Sequence, residues 1–512
     1  MKKLFSLLLA ATMTFSLTLP ALADHYTYSE PEKSTMMPRS TPETHGMSSQ
    51  YILDLLDAFD YADAEVHNIL MAIDGEVVFE GHYAPYTALD PHIMFSGTKI
   101  FTNAAVGVAV TEGYLHLDDY VYDVLKDYVT QDVSELQSKV QLKHLLTMTS
   151  GVDRFMSGSE LRPLTTSWIE HILTEPIVHE PGTYYLYSSG NTMLSSAMVT
   201  VATGKTCLEL LNTTGFCEEL GIKNFTWDMS PDGFNAGHGG IKITAEDLAK
   251  VGQLYMNGGV WNGKQILSKE WCDLAIGYEK TVENQGTYAY HWTAYEDGLY
   301  YTATGSYGQT LAICPKLNMV IAIQAGTKQN IGELLYQNIF KPYGDALDAG
   351  TVPEPDDALS AALAKRAENL NLMFTTDFTA SPIGELVDDV TFTAAENQYG
   401  ITTLSLDVHD DYIDYTMTDA RGTHTIRNGI WQWLKGETSM TSNYTHHQYQ
   451  YPTEPVYAYA EWKDANTLQL TWRFPELAFT LTFSDDGSQI GMVRSVNVNS
   501  GPLVCDEVVF TK

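Results

Sequence analysis

From Ile100 to Val110 the only polar side chains are Thr102 and Asn103. Such a run reads as a helix buried on nearly every side, which commits the surrounding chain to covering it. Gly113 supplies the stop expected at its C-terminal end. Lys99 falls in the first turn, where the helix dipole is positive and a cation is unfavourable. Ser96 lies three residues earlier, so the two side chains share one face about a turn apart. A serine touching a misplaced lysine at a helix N-terminus points to an activated nucleophile. The spacing alone also fits a buried serine beside a lysine that snorkels to solvent. The rest of the chain has to discriminate.

The first residues, "MKKLFSLLLAATMTFSLTLPALAD", combine two lysines, an apolar run and an Ala21-Leu22-Ala23 cleavage site. This is the pattern of a secretory signal peptide over residues 1–23, with the mature chain expected from Asp24 and an exported, extracytoplasmic destination. No cysteine sits at the cleavage point to take a lipid, and no later segment is long and apolar enough to span a bilayer. Loss of Lys2 and Lys3 takes the formal charge from −35 to −37. That acidity argues against nucleic acid, anionic lipid or polyphosphate as partners. Cys207, Cys217, Cys272, Cys314 and Cys505 form no metal-ligand spacing. Cys207 and Cys217 flank a helix and can pair, and an odd count leaves at least one thiol free. There is no HExxH, no Gly-x-Ser-x-Gly and no phosphate-cradling glycine loop, so neither a metal nor a cofactor is expected.

Nearly 490 mature residues are too many for one core, and at least two domains are expected. Residues 24–47 read as a polar lead-in. "SSQYILDLLDAFDYA" is an amphipathic helix capped by Ser48 or Ser49, and "VHNILMAIDGEVVFEGHY" is a hairpin turning at Asp74-Gly75. From about 120 to 275 the chain is mainly helical. Strands return at "YAYHWTAYEDGLYYTATGSYGQTLAICPKLNMVIAIQAG", and a helix follows near 330–340. This order over residues 48–345 fits an α+β domain whose sheet draws on both of its ends. Residues 346–370 read as an acidic, proline-containing linker and a short helix. Residues 371–512, with "TTLSLDV", "TLQLTW" and "AFTLTF", read as an all-β domain. His446 and His447 read as solvated loop residues within it.

A serine nucleophile needs a proton relay. "EPGTYYLYSSGNTMLSSAMVTVATG" offers Tyr187, just before a helical segment, and a phenol near a cation can be held at a lowered pKa and act as a base. The same tyrosine can equally be packed in a core. A strand bordering the site should supply a backbone N–H for an oxyanion, and "YYTATGSYGQTLAICPKLNMVIAI" suits this, because Gly305 and Gly308 permit close backbone approach. His238-Gly239-Gly240 reads as a decoy, since it precedes a helix capped by Thr244 and lies off the sheet.

In order, "FSGTK", "LLTMTSG", "PGTYYLYSS", "GGIKITAEDLAKVGQLYMNGGVWNGKQIL" and "ATGSYGQ" resemble the serine hydrolases of the β-lactamase-related family. That family includes class C β-lactamases, DD-peptidases, D-aminopeptidases, esterases and oligomer-degrading amidases. The resemblance covers about residues 38–345 and implies an α/β/α arrangement with an antiparallel sheet and a helical insert. It implies Ser96 as the acylated nucleophile, Lys99 as the partner that takes or shares its proton, and Tyr187 as general base and later acid. It further implies Ser306, Tyr307 and Gly308 on the substrate strand, with the backbone N–H groups of Ser96 and Gln309 as the oxyanion hole. Two departures stand out. Tyr187-Ser188-Ser189 replaces the family's Tyr-x-Asn, so Ser189 is the candidate substrate contact there. Ser306-Tyr307-Gly308 replaces Lys-Thr-Gly, removing the cation that holds a substrate carboxylate. Trp292 is a further candidate for the cleft wall, beside His291, although both also suit a core. The expected partner is a small-molecule or peptide-like acyl substrate, cleaved at an ester or amide bond. A wall peptidase or β-lactamase-like enzyme is the alternative, and a non-catalytic penicillin-binding or wall-binding protein a further one.

Overall fold

The structure, a computed structural model, describes residues 33–277, 282–372, 380–439, 453–473, 477–496 and 503–512. The signal-peptide segment, the first residues of the lead-in and the His446-His447 pair lie outside the described residues.

Seven strands make the first sheet: β1 (Val66–Ile73), β2 (Glu76–His82), β3 (Tyr288–Ala289), β4 (Trp292–Tyr295), β5 (Tyr300–Gly305), β6 (Gln309–Cys314) and β7 (Met319–Ala325). Their order is β2-β1-β7-β6-β5-β4-β3, with antiparallel neighbours throughout. The register Val66↔Ala325 to Ile73↔Met319 joins the two ends of the domain, as the sequence led us to expect. The β1–β2 turn is Asp74-Gly75 with φ of 53° and 80°, the left-handed pair that a two-residue hairpin requires.

β1 is buried along its whole length because both faces of the sheet are covered. On one face Ile69, Met71 and Ile73 pack with Ile321 and Ile323 against Ile52, Leu55 and Phe59 of α1 (Ser49–Tyr61), which Ser48 caps. Residues 331–348 share that layer. On the other face Leu70, Ala72, Val320 and Ala322 join a larger core with Ile100, Phe101 and Ala104 of α2 (Lys99–Thr111). That core includes α3 (Ser189–Thr203) and α4 (Ala245–Met256), and α4 lies directly on β1, β6 and β7. Alternate side chains of one strand thus feed two cores. The buried helix read from the sequence sits inside the second. The helix expected near 358–370 is α5 (Asp357–Glu368). It packs on α1 and β2, with Leu363 in the first core, so it belongs to the cover of the sheet.

The second domain is a ten-stranded antiparallel array: β8 (Val390–Ala394), β9 (Thr403–Val408), β10 (Tyr412–Asp419), β11 (Gly422–Ile430), β12 (Leu434–Thr438), β13 (Glu454–Asp464), β14 (Thr467–Arg473), β15 (Leu477–Phe483), β16 (Gln489–Val496) and β17 (Val508–Thr511). Parallel pairing of β11 with β13 closes the row into a barrel. Tyr415, Trp462, Trp472 and Phe479 fill its interior, so it is a packed core and not a channel. All five cysteines are free thiols; the pairing of Cys207 with Cys217 is not formed, and Cys207 instead hydrogen-bonds Ser196 inside the core.

Candidate active site

The nucleophile candidate is carried by a tight turn. Phe95–Thr98 forms a single 3-10 turn that runs into α2, and Phe95 enters it at φ 44°, a conformation that costs a bulky residue free energy. The ring of Phe95 meets that of Tyr307 edge-on, centroids 5.6 Å apart, so the turn leans on the tip of the β5–β6 hairpin. The polar residues of α2 each pin a different segment. Lys99 Nζ donates to Ser96 Oγ at 3.0 Å and to the His238 carbonyl at 3.1 Å. Thr102 Oγ1 donates to the Gly237 carbonyl at 2.8 Å. Asn103 Nδ2 donates to the Tyr290 carbonyl at 3.0 Å, while its Oδ1 accepts from Tyr255 and Trp271. The glycine-rich 238–240 segment, expected to be a bystander, therefore supplies a main-chain ligand to Lys99.

Lys99 does not snorkel: its residue is only 2 % exposed. Burial pushes its amine down to about 7, and the Arg162 cation acts in the same sense. Near neutral pH a large share of Lys99 is thus a free amine in contact with a serine hydroxyl. Tyr187 comes to the same place. Its ring lies under Lys99 Nζ, 5.0 Å from the centroid, and its hydroxyl hydrogen-bonds Ser96. The expectation of a lowered phenol pKa is reversed, however. Burial pushes Tyr187 up to about 12, and the bond to Ser96 offsets only part of that. Between the two groups, the amine is the one poised to accept a proton and the phenol the one that keeps its own.

Ser96, Lys99 and Tyr187 share a cavity of about 310 Å³ with Tyr288, His291, Thr293, Thr304, Gly305 and Ser306. Ser306 stands in its wall as expected. The other strand expectations shift by a few residues. Gln309 is fully buried, and its side-chain amide donates to the Ala325 carbonyl at 2.5 Å. A Cβ placed on Gly308 would meet Thr327, Ala325 and Ile331, so that glycine faces the end of β7. Tyr307 buttresses Phe95. The close approach belongs to Gly305, where a Cβ would lie 2.0 Å from the Met94 carbonyl oxygen and 3.1 Å from Gly97 N. The backbone bordering Ser96 is therefore Thr304–Ser306, and Ser306, not Gln309, is the strand residue at the cavity.

Two further candidates are corrected. Ser189 is 4 % exposed at the start of α3, with its N–H donated to the Met156 carbonyl, and it is not among the residues that line the cavity. Trp292 is 1 % exposed and packs edge-on against Tyr255 in the core, while its neighbours His291 and Thr293 line the cavity. Sequence reasoning missed Tyr288, Thr293 and Thr304, while His291, which suited either the cleft wall or the core, lines the cavity.

A second hollow of about 500 Å³ lies beyond His238, lined by Arg162, Trp168, Asp228, Ser230 and Gly239 among others. Arg154, the other cation of that region, is committed to Glu160 and Glu175.

A family model described as Beta-lactamase matches residues 68–337. The 6-aminohexanoate-dimer hydrolase of Paenarthrobacter ureafaciens is 24% identical over 274 residues, covering 48% of this chain and 69% of that protein. An acyltransferase of Monascus pilosus is 28% identical over 160 residues, 27% of this chain and 38% of that protein. Among solved structures, a Bacillus anthracis protein assigned as a 6-aminohexanoate-dimer hydrolase superposes with a TM-score of 0.52 at 21% identity, covering 64% of this chain and 93% of that one, which bears on the fold.

Proposed function

The chain belongs to the β-lactamase family and is a serine hydrolase, and on that footing we propose that it cleaves esters or amides through an acyl-enzyme on Ser96. The observation that carries this reading is the buried Lys99 amine, held at about 7 and 3.0 Å from Ser96 Oγ. A general base works best with a pKa near the operating pH. Neutral Lys99 takes the Ser96 proton as Oγ attacks the carbonyl carbon. The carbonyl oxygen gains negative charge, and the backbone N–H groups of Ser96 and Ser306 are the donors we assign to it. The bond to the leaving group then breaks, with the departing oxygen or nitrogen receiving a proton from Lys99, relayed by the protonated Tyr187 hydroxyl. In the second step water, deprotonated by Lys99, attacks the acyl carbon, and Ser96 leaves as its hydroxyl.

An acyl-enzyme serves a hydrolase and an acyltransferase alike, the two activities for which relatives are named. Lys99 is the only cation among the residues lining the cavity, and Thr304 and Ser306 are neutral. This favours uncharged acyl groups over substrates with a carboxylate beside the scissile bond. The start of the chain supports export, and N-terminal sequencing of secreted protein should begin at Asp24. Hydrolysis of short p-nitrophenyl esters, aminoacyl amides, acyl-D-Ala-D-Ala and a cephalosporin tests the assignment. Turnover is expected on neutral esters or amides and absent in Ser96→Ala. Activity that survives in Ser96→Ala, or a preference for the carboxylate-bearing substrates, would contradict it.

A further inference from the structure

Tyr290 and His291 form the two-residue turn between β3 and β4, where Ala289 pairs with Trp292. Both have left-handed backbones, with φ of 52° and 70°. A turn with positive φ at both positions suits Asn-Gly, and neither of these side chains is comfortable there. The turn is nevertheless firmly held. Tyr290 N donates to the Leu146 carbonyl at 2.9 Å, its carbonyl accepts from Asn103, and its ring packs on Trp271. Asn103 is one helical turn beyond Lys99, so the strained pair is fixed relative to the nucleophile. The result is an imidazole in the wall of the cavity.

The hydrogen-bond pattern of that imidazole decides where its proton lies. Its Nδ1 is 3.1 Å from the Tyr288 hydroxyl, and no other partner of that hydroxyl is seen among the described residues. Burial raises the Tyr288 pKa well above the usual phenol value, so the hydroxyl keeps its proton, and of the two possible directions donation to the imidazole is the one that leaves fewer polar groups unpaired among the described residues. Its acceptor is Nδ1. Burial also pushes His291 down to about 3, so the ring is neutral and carries its one proton on Nε2. Nε2 is buried, and no group among the described residues accepts from it. A buried donor left unpaired is expensive, and His291 lines the cavity, from which an acceptor can arrive.

We propose that His291 Nε2–H donates a hydrogen bond to an oxygen acceptor of the substrate other than the reacting carbonyl, so that the enzyme prefers acyl or leaving groups bearing an ether, ester or amide oxygen near the scissile bond. The proposal rests on the acyl-enzyme reading above and adds a specificity-determining residue to it. A site built to pair with a polar substrate atom discriminates against the analogue lacking it, because the buried group is then left unpaired.

Matched substrates test this. One pair differs in the acyl group, p-nitrophenyl methoxyacetate against p-nitrophenyl butanoate; the other in the leaving group, 2-methoxyethyl acetate against butyl acetate. The readout is the ratio of kcat/KM for the oxygen-bearing member to that of the hydrocarbon member, measured for each enzyme and compared between variant and wild type, which cancels intrinsic reactivity. His291→Gly suits the left-handed backbone while removing the ring. The ratio is expected to fall about tenfold in one of the two pairs. Tyr288→Phe keeps both rings but frees the tautomer, and should lower the same ratio, so a His291 variant that fails to fold does not end the test. Ratios within about twofold of wild type for both pairs in every folded variant would overturn the proposal, as would losses falling equally on both members, the mark of a packing role. An enzyme that is acylated on Ser96 but lacks the preference overturns the His291 proposal alone. Failure of Ser96 to be acylated overturns both.

Discussion

Lys99 concentrates the chemistry and the instability of this site in one side chain. Among the described residues this buried amine is held by Ser96 Oγ, the His238 carbonyl and the face of the Tyr187 ring, with no carboxylate hydrogen-bonded to it, and its depressed pKa records the cost. We expect kcat/KM on a neutral ester to rise with pH through about 7 and then level off, as the free amine replaces the ammonium. A profile flat between pH 5.5 and 8.5 would count against Lys99 as base. The same shift sets a stability signature. Between about 7 and the ordinary lysine value the unfolded chain binds the proton and the folded chain does not, so wild-type stability rises with pH across that window. Lys99→Met lacks this dependence. Its melting temperature relative to wild type should therefore fall as pH is raised from 6 to 9, while its activity is lost throughout. Tyr187→Phe removes a relay without removing a buried charge, and should lower kcat by about 10² to 10⁴ with little change in that stability profile.

At the scale of elements, the parts legible in the sequence were those with a strong local period. The β1–β2 hairpin, the buried α2 and the Ser96–Lys99–Tyr187 set all follow from patterning or motif order, and the structure brings those three side chains to one cavity. The strand wall was harder, because "ATGSYGQ" holds two glycines that each permit close approach. Only packing separates them: Gly305 abuts Met94 and Gly97, whereas Gly308 abuts the end of β7. Trp292 was misplaced by a single residue, and a step of one along a strand moves a side chain to the opposite face. The turn that carries His291 was not foreseen, because a turn of that geometry normally advertises itself with Asn or Gly. Gly305→Ala tests the strand assignment. Its Cβ would meet the Met94 carbonyl oxygen at 2.0 Å and must push β5 away from the Ser96 turn. A fall in kcat/KM of about a hundredfold is expected, with an unchanged far-ultraviolet circular dichroism spectrum, since small displacements at a reacting centre carry losses of that order. Gly308→Ala strains a left-handed residue against Thr327 and should cost more in melting temperature than in selectivity.

In the whole molecule the barrel meets the catalytic domain just upstream of the nucleophile. Asp90 accepts from Tyr457 at 2.7 Å and from Lys435 at 3.1 Å, and Lys242 pairs with Glu454 at 2.8 Å. Tyr86 packs edge-on against Tyr457. These contacts steady residues 86–93 without contributing a side chain to the cavity lining, so a chain ending at residue 372, which keeps α5, is expected to hydrolyse small esters with a lowered melting temperature. A soluble, folded but inactive truncation would show that the barrel completes the site. The acyl-enzyme mechanism stands on acylation of one serine, and that is read most directly on the intact protein. After treatment with a fluorophosphonate, peptide mass spectrometry is expected to place a single adduct on Ser96, absent in Ser96→Ala and slowed in Lys99→Met. An adduct on any other serine, or none on folded protein, would contradict it.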